Sequence, residues 1–377
     1  MRSDTDRLRL ARCPGIGATT VRKLLERYGT ATAAIAALPA AAARAGRPAP
    51  AVPSAREVQR EFDALDRLGG KLLFLGAPGY PELLALLDDP PPALAVLGNV
   101  QALDRPMVAV IGSRNASANG RLLAERLAAQ LAEQGIGIVS GLARGIDAAA
   151  HEGALRHGVT IACIAGGLDR PYPPEHAELQ DRVAERGCVL AEAPLGTAPI
   201  ARHFPRRNRV IAGLSLGVVV VEAALRSGSL ITARLALEAG REIFAVPGSP
   251  LDPRAEGTNA LIRNGAHLVA SAADILQNLP DDPRRLGVSR DPMFARADRA
   301  APDFPPLAER QIALVTPEAA VAAVTRLLGA TPTLVDDLVR RCQLSAPEVR
   351  AALLDLELAG RVETLPGNRV ALLAGAE

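Results

Sequence analysis

Between residues 105 and 280 the chain repeats one kind of segment. Short apolar runs stand at MVAVIGS (107–113), GIVSG (137–141), TIACIAGG (160–167), CVLAEA (188–193), LGVVVVEA (216–223), EIFAVPG (242–248) and HLVAS (267–271), with helical patterns between them. The runs are continuous rather than alternating, and Gly, Ser or Pro closes most of them. A strand that is apolar on every residue has no face for water, so each of these is expected to be covered on both sides. Strands of that kind alternating with helices predict an α/β fold, a doubly wound, mostly parallel, Rossmann-like sheet.

The flanks read differently, and 377 residues leave room for two or three domains. Residues 1–70 read as a helical domain in which Gly15-Ile16-Gly17 leads into an amphipathic helix. Such a turn can offer backbone N–H groups to a phosphate; taken alone, it reads better as a plain helix–helix connection. LPAAAARAGRPAPAVPS (38–54) reads as a loose linker or insertion. The sheet domain occupies 71–280. Residues 281–314, rich in Pro, Asp and Arg, read as a flexible linker. Residues 315–377 read as helices at 318–328, 333–342 and 346–359, then two short strands around Pro366-Gly367-Asn368, a small winged-helix domain. The last of these helices would be the one to enter a duplex groove. Its Arg350 is outweighed by Glu348, Asp355 and Glu357, which predicts a protein contact or a packing role.

A ligand of an open parallel sheet binds beyond the carboxyl ends of the strands. The residues there are Gly112-Ser113-Arg114 after the first run, Ser140-Gly141 after the second and Gly166-Gly167 after the third. HFPRRNR (203–209) follows the fourth at a helix start, and Arg226-Ser227-Gly228-Ser229 follows the fifth. Gly and Ser permit close backbone approach, helix starts favour anions, and Arg grips phosphate with two parallel donors. Arginines 202, 206, 207, 209, 226, 234 and 241 face only Glu222 and Glu238 in that stretch, an excess that suits an extended polyanion.

Phe204 stands out because aromatics make up only 2% of the chain. Among cations it reads either as a stacking face for a nucleobase or as a hydrophobic staple under the following helix; the pattern leaves both open. GSRNASANG lacks the dinucleotide fingerprint, and no phosphate-loop Gly-Lys-Ser/Thr motif is present. Asp147 and His151, four apart on a helix, and His176 could suggest acid–base or metal chemistry. The spacing supplies no third ligand, so a bracing role for Asp147 and a partly buried one for His151 are favoured. No cofactor, metal or catalytic residue is expected. Cys13, Cys163, Cys188 and Cys342 lie far apart with no C-x-x-C, and no signal peptide or membrane span is visible, which points to a reducing, cytoplasmic setting.

VAVIGSR, SGLARGIDAAAH, GGLDRPYPPEH, EAPLGTAPIARHFPRRNRVIAGLS, VEAALRSGSLITARLALEAGREIFAVPG and GTNALIRNGA together resemble the DNA-processing protein A (DprA/Smf) family of bacteria. The resemblance spans the sheet domain; the helical N-terminus resembles the family's sterile-alpha-motif-like piece, and the winged helix is a weaker match. It implies a homodimer, joined through the sheet domain, that binds single-stranded DNA without marked sequence preference. Such a protein protects incoming DNA and loads the RecA recombinase during natural transformation of competent cells. The resemblance implies phosphate contacts from Arg114 and a binding segment containing Phe204, Arg206, Asn208 and Arg209. Arg226 stands where the family usually has Lys, before Ser227-Gly228-Ser229. A rival reading is a nucleotide-cleaving, phosphoribohydrolase-like enzyme on a similar sheet; VEAALRSGSLITA lacks the Gly run such enzymes carry.

Overall fold

The computed structural model describes residues 2–44, 48–280, 317–329, 331–342, 344, 346–365 and 369–373. The expected linker at 281–314 lies outside the described residues. The chain divides into two compact units, one from residues 1–55 with 293–377 and the other from residues 56–292.

The first unit begins with α1 (Arg2–Ala11), α2 (Ala18–Tyr28) and α3 (Ala31–Arg44). The Gly15–Gly17 turn joins α1 to α2, and the Val21 N–H donates to Gly17 O at 2.9 Å. α3 corrects the expectation of a loose segment from 38, because the helix runs through Pro39 to Arg44. Leu38, Ala41 and Ala42 are buried there, and an alanine-rich helix with one packed face outweighs the hydrogen bond that Pro39 removes.

The second unit opens with α4 (Ala55–Arg67), β1 (Gly70–Phe74), α5 (Glu82–Ala85) and β2 (Ala93–Gly98). The alternating part follows: β3 (Met107–Ile111), α6 (Ala118–Glu133), β4 (Gly137–Ser140), α7 (Ile146–His157), β5 (Thr160–Ile164), α8 (Ala177–Arg186) and β6 (Cys188–Ala191). Then come α9 (His203–Leu214), β7 (Gly217–Val220), α10 (Gly228–Glu238), β8 (Glu242–Ala245), α11 (Glu256–Arg263), β9 (His267–Leu268) and α12 (Ala272–Asn278). The nine strands form one sheet in the order β1-β2-β6-β5-β4-β3-β7-β8-β9. From β6 to β9 every pairing is parallel. β1 and β2 add an antiparallel edge that the sequence pattern did not announce. α4 packs on this sheet through buried Leu65 and a Phe62–Phe74 ring contact at 6.4 Å, so it belongs with the strands rather than with the helices before it.

Continuous apolarity has the expected cause. On β3, Met107, Ala109 and Ile111 enter one core with α9 and α10, while Val108 and Val110 enter the opposite core with α6, α7 and α12. On β7, Val218 and Val220 face the first core and Val219 the second. Each such Val, Ile or Met side chain contributes about 1.5–3 kcal/mol by leaving water. The chain winds outward from β3 through β4 and β5 to β6, then crosses to β7 and β8 on the other side. The switch in direction therefore lies between β3 and β7, where a ligand crevice forms in sheets of this kind.

The remainder of the first unit comprises α13 (Pro317–Thr325), β10 (Thr333–Leu334), α14 (Val335–Cys342), α15 (Ala346–Leu358), β11 (Val362–Leu365) and β12 (Arg369–Leu372). The strands pair in the order β10-β12-β11, a winged-helix arrangement over Val324, Leu338, Val349, Leu353 and Leu356. The opposite face of α15 is also occupied. Leu354, 2% exposed, joins the core of α1–α3 beside Leu10 and Leu24. Asp355 and Glu357 pair with Arg27 at 3.0 Å and Lys23 at 2.6 Å.

Candidate nucleic-acid interface

The loops at the carboxyl ends of β3, β4 and β5 and the starts of α9 and α10 build one cluster. β3 ends in Gly112, Ser113 and the exposed Arg114. The Ile146 N–H donates to Ser113 O at 3.2 Å, which ties the Arg114 loop to the start of α7. Gly145 sits where these loops cross at φ 78°, and a Cβ there would strike Ser113 O. Only glycine accepts both conditions.

α9 carries HFPRRNR in its first two turns. Pro205 is tolerated there because first-turn N–H groups have no partner within the helix. Val210, Ile211, Ala212 and Leu214 lock the rest of α9 onto the sheet, which fixes Phe204 at the rim. Phe204 is half-buried and surrounded by side chains of other loops. The Arg114 guanidinium carbon lies 4.8 Å from its ring centroid and that of Arg207 5.7 Å away. The Tyr172 ring meets it edge-on at 5.8 Å. Phe204 is thus a hub of cation–π and aromatic contacts at the cation-lined edge.

The arginines divide into two groups. Arg207 is buried, with its guanidinium 3.8 Å from Asp147, and a Cβ on Gly141 would fall on its terminal nitrogen. Arg209 is committed to Glu192, at 2.6 Å, and to Asp89. Arg241 donates to Leu83 O and Gly213 O, and Arg234 lies 3.7 Å from Glu238. Arg114, Arg202, Arg206 and Arg226 are exposed and have no carboxylate partner among the described residues. The arginine excess seen in the sequence therefore includes both internal braces and outward-facing charges.

The other expected residues fall into similar classes. Gly228 opens α10 with free space around its Cα, and Ser227 caps that helix, accepting from the Ser229 N–H at 3.3 Å. Asn208 donates to Gly228 O at 3.4 Å, which ties α9 to the start of α10. Ser140 is fully buried and donates to Val110 O at 2.7 Å. Gly166 and Gly167 are covered by the 194–199 loop, with the Gly167 N–H donating to Thr197 O at 3.0 Å. Ser140, Gly166, Gly167 and Asn208 shape the edge from beneath. Arg114, Arg206, Arg226 and Gly228 reach its surface.

Asp147 accepts from the Gly141 N–H at 3.1 Å, and burial pushes its carboxyl upward against the opposing pull of Arg207. His151 is fully rather than partly buried. Its Nδ1 lies 2.7 Å from the Thr160 hydroxyl, which itself donates to Ile138 O, and its Nε2 accepts from the Leu142 N–H at 3.3 Å. Burial, then the neighbouring Arg207 and His176 charges, push His151 down to about 3, so the ring is neutral near pH 7. Leu142 itself is left-handed at φ 56°, an uncommon state for a bulky residue. His151 on its N–H and His176 on its carbonyl, at 2.8 Å, hold it there. The two histidines serve loop geometry.

Sequence reasoning passed over Glu222, at the end of β7. Its carboxylate accepts from the Ser117 N–H at 2.9 Å and from the Ser117 hydroxyl at 2.5 Å, and it lies against Gly120. It thus occupies the start of α6, the place a dinucleotide pyrophosphate takes in related sheets. An acid just after VVVV was the available signal. Tyr172 was also missed, although it is one of three tyrosines in the chain.

The sheet order and the flanking helices define a Rossmann-like α/β protein that also carries a winged helix. A family model described as DNA recombination-mediator protein A matches residues 71–280, a DprA winged-helix model matches 306–368, and a DprA-like N-terminal HHH domain matches 2–64. The chain belongs to the DprA/Smf family of DNA-processing proteins. It is 43% identical over 295 residues to Protein Smf of Escherichia coli (strain K12), covering 78% of this chain and 75% of that one. The DNA processing protein DprA of Streptococcus pneumoniae is 48% identical over 198 residues, 52% of this chain and 70% of that one. The X-ray structure of DprA from Streptococcus pneumoniae superposes with a TM-score of 0.64 at 34% identity, covering 74% of this chain and 99% of that one. A structure of DNA processing protein A from Helicobacter pylori, described for its single-stranded DNA binding mode, gives a TM-score of 0.51 at 32% identity, covering 56% and 95%. No described helix is long and apolar enough to cross a membrane.

Proposed function

We propose that this protein binds single-stranded DNA without marked sequence preference, shields it, and passes it to the RecA recombinase during transformation or recombination, acting in the cytoplasm as a homodimer. The observation that carries this reading is the set of exposed arginines Arg114, Arg202, Arg206 and Arg226, spread over three segments around one aromatic hub. Cations follow the phosphodiester backbone, and a ring surface accepts any base. The resemblance of the sheet unit to a relative described for its single-stranded DNA binding mode supports the same ligand.

The chemistry is binding, with no covalent step. Arg114 takes a phosphate at the β3 edge of the switch. The Gly228 N–H and Arg226 take another at the start of α10, where the helix dipole favours an anion. Arg206 and Arg202 extend the track along α9. Arg207, Arg209, Asn208 and Ser140 keep these elements in register. The rival nucleotide-cleaving enzyme carries a Gly run at the β7–α10 connection, where this chain has Arg226-Ser227-Gly228-Ser229 instead.

The test is Arg114→Ala against oligonucleotides of different sequence. Loss of one charge-assisted contact is expected to weaken binding by about 10- to 100-fold on oligo-dT, oligo-dC and mixed sequences alike. The log–log salt slope should shrink by about 0.7. Loss confined to one sequence, or none at all, would contradict the assignment.

A further inference from the structure

The few aromatic rings of this chain are unevenly used. It has three tyrosines, six phenylalanines and no tryptophan. Of the two rings that meet at the cation-lined edge, Phe204 is already engaged by the guanidiniums of Arg114 at 4.8 Å and Arg207 at 5.7 Å. A base stacked on the Arg114 side would have to displace that cation. Tyr172 is 42% exposed, with its ring plane turned 67° from that of Phe204.

The loop that carries Tyr172 is held at several points. The Gln180 side chain donates to Leu168 O at 2.9 Å, and Asp169 accepts from the Gly196 N–H at 2.7 Å. His176 meets Leu142 O at 2.8 Å, and Glu175 pairs with Arg144 of the neighbouring loop. Pro171, Pro173 and Pro174 flank the ring and limit the backbone further. An exposed ring on a pinned, proline-bounded loop loses little conformational entropy when a flat partner covers it.

We propose that Tyr172 is the base-stacking ring of the single-strand site. A nucleobase lies on its exposed face, while Phe204 braces both Tyr172 and the phosphate-gripping Arg114. The 67° turn between the rings means that a base on Tyr172 does not continue a stack over Phe204, so the strand is unstacked at that step. The recognised chemistry is the π-face of any base, which keeps the site indifferent to sequence. This proposal rests on the single-strand reading given above.

Tyrosine emission reports the contact directly, because no tryptophan obscures it. Tyr80 is buried, and Tyr28 lies in the other unit. Titration of the full chain with oligo-dT, corrected for oligonucleotide absorbance, is expected to quench tyrosine emission in step with binding measured by anisotropy. Tyr172→Ala should abolish the quench and weaken binding by about 5- to 150-fold. Tyr172→Phe should restore the affinity without restoring the quench. Wild-type affinity and an undiminished quench in Tyr172→Ala would overturn the assignment while leaving strand binding intact. Failure of the wild-type chain to bind oligo-dT at all would instead overturn the single-strand reading, and this proposal with it.

Discussion

His151 shows how buried groups at the cation-lined edge couple geometry to pH. Its folded value near 3 lies below the ordinary 6.5, so the folded state holds it neutral where the unfolded chain would protonate it. Stability from this group is fully present above about pH 6.5 and is lost as pH falls toward 3, by at most about 1.4 kcal/mol per pH unit. Asp147, raised by burial, acts with the opposite sign as pH falls through its own window and offsets part of that slope. Denaturant unfolding of wild type and His151→Gln at pH 7 and pH 5 separates the two. Wild type is expected to lose more stability between those pH values than the variant; equal losses would contradict the burial argument. The arginines teach a related lesson. Sequence alone showed Arg207 and Arg209 as members of a basic cluster. Whether such a charge faces water depends on partners far along the chain, and for Arg209 the acceptor at Asp89 O is 120 residues away. For that reason the placement of these loops at the carboxyl edge of the sheet was legible, while the division into outward cations and internal braces was not. Glu222 and Tyr172 were hidden similarly, since each matters through a neighbour on a different loop.

Among the elements, those buried on both faces were the easiest to read. β3 to β8 carry apolar residues at nearly every position, and no other environment accepts that pattern. β1 and β2 escaped notice because GKLLF is short and partly exposed, and ALAVLG follows three prolines. In α3, Pro39 is a strong local breaking signal that tertiary burial overrides. In α15 the acidic, apolar outer face is covered by the N-terminal helices, which explains why a helix in the recognition position has only Arg350 against three acids. The two ion pairs there are partly exposed and contribute about 0–1 kcal/mol each; Leu354 supplies the larger share. Leu354→Ala is expected to destabilise the unit formed by the two chain ends by about 2–5 kcal/mol. Calorimetry should show that unit's transition moving while the sheet unit's transition and the oligo-dT affinity stay in place. A shift of both transitions together would mean that the two units do not unfold independently.

At the scale of the whole molecule, a net charge of +2 says little about a ligand, and the local arrangement at the sheet edge says more. Asp147 lies against the buried Arg207 and Glu192 against Arg209, while Arg114, Arg202, Arg206 and Arg226 stand exposed around the carboxyl edge of the sheet, at the switch between β3 and β7. The fold supplies glycine-rich turns and helix starts there, and Glu222 closes the one helix start that a dinucleotide would use. A track of about four phosphates per chain gives a single-strand salt slope near −3, so affinity should fall roughly fifty-fold between 50 and 200 mM salt. The most direct measurement is the equilibrium affinity of the full chain for labelled oligo-dT and for a matched duplex across that salt range, with free nucleotide as competitor. A steep salt slope on oligo-dT, weaker binding to duplex and no competition by mononucleotide are expected. A flat salt response, or displacement of the strand by a single nucleotide, would contradict the single-strand reading.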